Sequence, residues 1–298
     1  MGYSVELMAL FSELADRGYF KDVQRAIDLG SQEMHFAKQD VASAPYKESI
    51  RVAIHKISGL TISGDQLETL SNRASAGSFF SILGVEYKSL DTDGWYGAPF
   101  DFNFDQIVPM DQRRYCLMVN AGTTEHLINQ LNAFSVAHSL TRSGGLMIHG
   151  VPFLGHIDHG FFNYNPNFFT SLARFNSYEI LGLWLCPSNA ATLIPYGDGA
   201  VLRHLNVSQE PEHSISLFCA FRKTSEADFC VPFQAVYESQ MKAASLDRYS
   251  YAVDGARMSG ALAFEISQKA ASIETLSGRT LIKELVRRVR RRVGLGPR

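Results

Sequence analysis

The sequence predicts an α/β protein built on a doubly wound, mainly parallel sheet with an antiparallel edge strand. Short apolar runs that stop abruptly at Gly, Asp or Asn recur at RAIDLG (25–30), GVEYKSLDTDG (84–94), YCLMVNAG (115–122) and LMIHGVPF (146–153). Helix-period segments separate them, the alternation expected of parallel strands joined by crossovers. Two further runs, YEILGLWLC (178–186) and SISLFCAFRK (214–223), follow with only a stretch punctuated by Pro, Gly and Asn between them. That pattern reads as a long antiparallel hairpin or an insertion.

In order, residues 3–17 read as a helix with Leu7, Leu10, Phe11 and Leu14 on one face, and residues 24–30 as the first strand. Residues 36–80 are polar and mixed, with helical patches around 48–57 and 65–73, long enough for an insertion or a lid over a site. The second strand ends at Asp91 and Asp93 and the third at Asn120 and Gly122. Residues 125–140 read as a helix, since Leu127, Leu131, Phe134 and Ala137 recur at helical spacing. Thr123 or Thr124 is its expected cap and SGG at 143–145 its stop, before a fourth strand at 146–153. A loop rich in His, aromatics and Asn (154–166) and a helix at 166–175 precede the late strands. The domains expected are an N-terminal helix (1–21), a ligand-binding domain (22–235), a helical region (236–278) and a basic tail (279–298), so that extra helices flank the sheet domain at both ends.

Composition narrows the class. With 46% hydrophobic and 11% aromatic residues among 298, the chain can bury a sizeable core and is neither disordered nor fibrous. No apolar run reaches the roughly 18 residues of a membrane span. The N-terminal segment carries Glu6, Glu13 and Asp16 and lacks the basic start of a signal peptide. Four cysteines without a C-x-x-C pair suit a reduced, cytoplasmic protein. Residues 279–298 hold eight Lys and Arg against one Glu, and the rest of the chain 20 basic against 29 acidic side chains. This tail reads as a basic amphipathic element for an acidic partner or the inner membrane surface, or as a solvated helix packed on the body. No recognisable module points to nucleic acid.

The strand-end turns carry the chemistry. In open α/β sheets ligands bind at the carboxyl ends of the strands. The turn Asp28-Leu29-Gly30-Ser31-Gln32-Glu33 has an acid and one glycine, too few glycines for a pyrophosphate cradle but enough for a ligand without phosphates. Asp91, next to Thr92 and with Asp93 as a rival, can accept both hydroxyls of a ribose. Asp101 or Asn103 can read an adenine amino group. Glu125 and His126 share the edge with Asp28 and suit general base work, as do His149 and His159. His156, Asp158 and His159 with His149 could form a metal half-site, although no metal is expected for the reading preferred here.

Taken together, the DLG turn, the acidic second turn, the third strand with Asn-Gly, the SGG and the late strand pair resemble class I S-adenosylmethionine-dependent methyltransferases. The block NAGTTEHLINQLNAF…HSLTRSGGLMIHGVPF…DHGFFNYNPNFF is similar to a bacterial subgroup of methyltransferase-domain proteins, some of them found among polysaccharide biosynthesis functions, and the likeness spans roughly 22–235. It implies a Rossmann-like fold and S-adenosyl-L-methionine as cofactor. It also implies that Asp28, Gly30, Ser31, Gln32 and Glu33 meet the cofactor's amino-acid part. Asp91 and Thr92 would then meet its ribose, Asp101 and Phe102 would flank adenine, and Asn120 and Gly122 would line the floor. The expected reaction is methyl transfer to an oxygen of a small-molecule or carbohydrate-like acceptor, with His126, Glu125, His149 and His159 as candidate bases. The rivals are a methyltransferase-like scaffold without catalysis and a metal-dependent hydrolase using His149, His156, Asp158 and His159. The oligomeric state is not legible.

Overall fold

The computed structural model describes residues 2–35, 44–71, 73–107, 112–187, 192–197 and 214–234. The elements described fall in one compact unit, formed by Met1–Tyr196 and Asn206–Arg257. The expected helical region 236–278 and the basic tail lie outside the described residues.

The sheet has eight strands: β1 (Arg25–Leu29), β2 (Glu86–Asp91), β3 (Ala98–Pro99), β4 (Tyr115–Ala121), β5 (Thr141–Leu154), β6 (Tyr178–Pro187), β7 (Ile194–Pro195) and β8 (Ile215–Lys223). Their order is β3-β2-β1-β4-β5-β8-β6-β7. Strands β3, β2, β1, β4 and β5 pair in parallel in that order, while β8 runs antiparallel between β5 and β6, and the two-residue β7 forms an antiparallel edge. The mainly parallel sheet with an antiparallel edge is therefore present. The long antiparallel strand, however, lies inside the sheet. The chain winds outward from β1 through β2 to β3, then returns to the other side of β1 with β4 and β5. The switch point falls between β1 and β4, where such folds hold ligands.

Burial explains the order. All seven residues of β4 are buried, as suits a central strand covered on both faces. One face is covered by α1 (Val5–Asp16), α2 (Ala44–Ser58) and α4 (Ala76–Ile82), with the short α3 (Gly64–Glu68) beside them. Leu7, Leu10, Phe11 and Leu14 of α1 are all fully buried there, each contributing about 1.5–3 kcal/mol of apolar burial. Ile50, Ala53, Ile54, Leu67 and Leu70 belong to the same core, so the described part of 36–80 packs on α1. The opposite face carries α5 (Gln130–Leu140) and α6 (Pro166–Phe175), with Phe134 and Phe169 packed around His149.

The expected helix 125–140 is corrected in two places. Thr124–His126 form one 3-10 turn, and α5 begins only at Gln130, where the Asn129 side chain accepts from Asn132 N–H. Thr123 makes no capping bond and the Thr124 hydroxyl is taken by Asn120. Leu131 is exposed, so the leucine spacing did not mark the buried face. Nor does SGG stop the helix: α5 ends at Leu140 and β-branched Thr141 passes directly into β5, which contains Ser143–Gly145.

Candidate functional site

Three turns meet at the carboxyl edge around the switch point. Gly30 follows β1 with φ +75°. A Cβ there would stand 2.4 Å from Thr123 Oγ1, so only glycine lets the β1 and β4 turns approach this closely. Thr123 Oγ1 donates to the Leu29 carbonyl (2.6 Å) and Gln32 Nε2 donates to Thr123 Oγ1 (2.9 Å). On the other side, Ser31 N–H donates to Asp91 Oδ2 (2.7 Å), tying the β1 turn to the end of β2. The loop Gly94–Gly97 then folds over this junction. Ser31 Oγ donates to the Trp95 carbonyl and Ser89 Oγ to the Tyr96 carbonyl. The Trp95 and Tyr96 rings stack at 4.9 Å and are half exposed at the rim.

Several expected ligand contacts face elsewhere. Asp28 lies on the same strand face as Ala26, toward α1, and is fully buried. Tyr3 Oη donates to its Oδ1 and Tyr87 Oη to its Oδ2, both at 2.8 Å. Burial pushes its carboxyl up to about 8 against the pull of the two hydroxyls. Glu33 turns to Arg73 (2.9 Å). Phe102 is buried against Phe100. Asp101 shapes its own turn: its Oδ1 accepts from Asn103 N–H, and its N–H donates to Asp105 Oδ2. Asn120 is also buried. Its Oδ1 accepts from Thr123 and Thr124 N–H, and its Nδ2 donates to Thr124 Oγ1, so it braces the turn after β4. Gly122 turns that corner at φ +89°, while Thr92 is exposed in the β2 turn.

Among the candidate bases, Glu125, His126 and His159 come together. Glu125 Oε1 stands 3.4 Å from His159 Nε2 and 4.0 Å from His126 Nε2. Glu125 is wholly buried, and neither of its oxygens has a hydrogen-bond partner. Burial pushes its carboxyl up to about 7 and lowers both imidazoles. The loop after β5 clamps it: Phe161 and Phe162 N–H donate to the Glu125 carbonyl at 2.8 and 3.2 Å. A Cβ on Gly160 would lie 3.0 Å from that carbonyl. Gln130 holds the 3-10 turn from below, donating to the Thr124 and Leu127 carbonyls. Gly160 and Gln130 were not foreseen, although GFF and NQ beside the candidate residues were the available signal.

His149 is removed from the candidate bases. It is fully buried among Phe134, Phe169 and Phe221, and burial lowers its imidazole to about 3. His156 faces Ser216 Oγ (3.3 Å) and Asp158 is exposed, so the four-residue hydrolase site is not assembled. Among the described residues, the group that could share one ion is Glu125, His126 and His159.

Among the described residues, exposed large apolar side chains gather on the same edge. Trp95, Tyr96, Phe104, Ile128, Leu131, Ile157 and Phe161 all lie on connections leaving β2, β3, β4 or β5, with Leu60 and Val231 elsewhere. A cavity of about 500 Å³ opens at the opposite, amino edge, lined by Tyr19, Arg142, Arg222 and Lys223 among others. No described helix is long and apolar enough to cross a membrane.

No family model and no curated protein matches the chain. Solved structures similar to it include a Burkholderia thailandensis 1,6-didemethyltoxoflavin-N1-methyltransferase (11% identity, 73% of this chain and 78% of that one, TM-score 0.38). Others are a SAM-dependent methyltransferase from Archaeoglobus fulgidus (12%, 72% and 94%, 0.36) and a loganic acid methyltransferase (7%, 74% and 93%, 0.38).

Proposed function

We propose that this chain binds S-adenosylmethionine at the carboxyl edge of its sheet and transfers the methyl group to an oxygen of a small-molecule or carbohydrate-like acceptor. The observation that carries the reading is the junction at the switch point, where the β1 turn is tied to Asp91 on one side and to Thr123 on the other. The donor set suits a nucleoside without phosphates. A single glycine turn is present, and the Asp91 carboxylate at the end of β2 suits a ribose diol. The stacked Trp95–Tyr96 pair can cover an adenine once the Gly94–Gly97 loop lifts from Ser31 and Ser89. The bound cofactor supplies an activated methyl: the acceptor oxygen forms the new C–O bond as the C–S bond breaks and sulfur keeps the electron pair.

Glu125, one turn beyond β4, takes the hydroxyl proton directly or through His159. Ile128, Leu131, Ile157 and Phe161 give the acceptor an apolar rim, which suits the nonpolar face of a sugar or a ring. The protein acts in the cytoplasm, and tail 279–298 meets an acidic partner or the inner membrane surface. A scaffold role without catalysis is favoured by one observation only, the closed Gly94–Gly97 loop. Incubation with methyl-labelled S-adenosylmethionine and a panel of hydroxyl-bearing acceptors decides. Label in an acceptor supports the proposal. Tight cofactor binding without transfer to any acceptor supports the scaffold.

A further inference from the structure

We infer that Glu125, His126 and His159 form a binding site for one divalent first-row transition-metal ion. Glu125 Oε1, His126 Nε2 and His159 Nε2 lie at the end of β4 and in the loop after β5, and one ligand atom from each falls within 4.8 Å of the others. A carboxylate without a partner in a buried position costs several kcal/mol. Both Glu125 oxygens and His159 Nε2 are buried and unpartnered at the same point. A proton on Glu125 would serve one of these atoms, whereas a single cation serves the whole set. Two imidazoles and one carboxylate are a donor set for zinc, manganese or ferrous ions, and leave positions open for water or a substrate oxygen.

Metal bonds of about 2.0–2.2 Å require the ligand atoms to close in by roughly 1 Å. His126 and His159 can do this because both rings are partly exposed, while Glu125 is held by Gly160–Phe162. His156 lies beside His159, with ring centroids 5.5 Å apart, but its Nε2 faces Ser216 Oγ at 3.3 Å and it is not among the three converging ligands. Binding of the ion does not depend on methyl transfer. Its use rests on the reading above: with the ion bound, Glu125 and His159 would serve as its ligands, and the ion would polarise the acceptor hydroxyl so that its proton leaves to water in place of direct transfer to Glu125.

The test is titration of the full-length protein, stripped with chelator, first with Co²⁺ followed by ligand-field absorbance and then with Zn²⁺ against a chromophoric competitor. One equivalent should bind and raise the melting temperature. Glu125→Gln, His126→Ala and His159→Ala should each weaken binding by about 100-fold or more, while His156→Ala leaves it unchanged. Failure of the folded wild type to bind either ion overturns the inference, as does binding that survives Glu125→Gln and His159→Ala. S-adenosylhomocysteine titrated into the same metal-free and metal-loaded samples separates the two readings. Nucleoside binding without metal binding defeats the metal site alone, and metal binding without nucleoside binding defeats the methyl-transfer reading alone.

Discussion

The Tyr3 hydroxyl donates to Asp28 Oδ1 at 2.8 Å, across the interface between the N-terminal segment and β1. With Tyr87 on the second oxygen, this makes Asp28 a buried strut of the core on the α1 side of the sheet. The acid that reads in sequence as the start of a ligand turn instead holds the chain's first residues onto the first strand. On the proposed reading, ligand contact at this turn would fall to the next residues, Gly30 to Gln32.

This strut has a pH signature. The Asp28 carboxyl titrates near 8 when folded and near 4 when unfolded, so its stabilising contribution is full below about pH 4 and is lost as pH rises through 8. His138 and His149 are lowered by burial to about 4 and 3, so their contributions are present above about pH 6.5 and are lost as pH falls toward those values. Stability should therefore peak near pH 6–7. Asp28→Asn should flatten the decline between pH 7 and 8 while leaving the acid limb intact. Urea melts at pH 5, 6.5 and 8 check this, and an unchanged alkaline decline in the variant would count against a protonated Asp28. Tyr3→Phe should cost about 1–3 kcal/mol by stranding one carboxyl oxygen.

Gly160 fixes the depth of Glu125. In Gly160→Ala the new methyl would stand 3.0 Å from the Glu125 carbonyl and 3.1 Å from its Cγ. The carboxylate must move by tenths of an ångström. The expected result is a folded protein with kcat lowered about tenfold or more and cofactor affinity little changed, as misplacement of a reacting group produces. Full activity in this variant would show that Glu125 does not need its observed position.

The exposed apolar rim should belong to the acceptor. Phe161→Ala and Leu131→Ser remove exposed side chains, so folding should be unaffected. A raised acceptor KM with unchanged cofactor binding is expected, and steady-state kinetics with the acceptor found by labelling measures it. Equal effects on cofactor and acceptor would place these residues at the wrong end of the site.

Sequence pattern located most strands because each is an apolar run cut short by a turn residue. RAIDL, EYKSLD and YCLMVNA all fall where that pattern puts them, as do α6 and the β6–β8 pair. What it did not carry was direction and partnership. Period-2 alternation puts Asp28 on the face of Ala26, but the tyrosines that close over it lie 25 and 59 residues away in sequence. The Leu127–Leu131 spacing imitated a helix stripe, while the actual boundary is written by Asn129 and its bond to Asn132 N–H. Strand β3 is two residues long and exists only through pairing with Leu90 and Asp91. For the site, GTTEH and HIDHG were each legible as polar loops. The meeting of Glu125 with His159 depends on β4 and β5 being neighbours in register, with Asn120 opposite His149.

Asp91 closes the β2 side of the switch-point junction. Its Oδ2 accepts from Ser31 N–H at 2.7 Å, and the proposed ribose contact rests on the same carboxylate. Calorimetric titration of S-adenosylhomocysteine into the wild type and Asp91→Ala is the most direct measurement. One site is expected in the wild type and a loss of about 10- to 100-fold in affinity in the variant, the worth of a charge-assisted hydrogen bond. A folded wild type that binds neither S-adenosylhomocysteine nor S-adenosylmethionine, or a variant that binds as tightly as the wild type, would contradict that expectation.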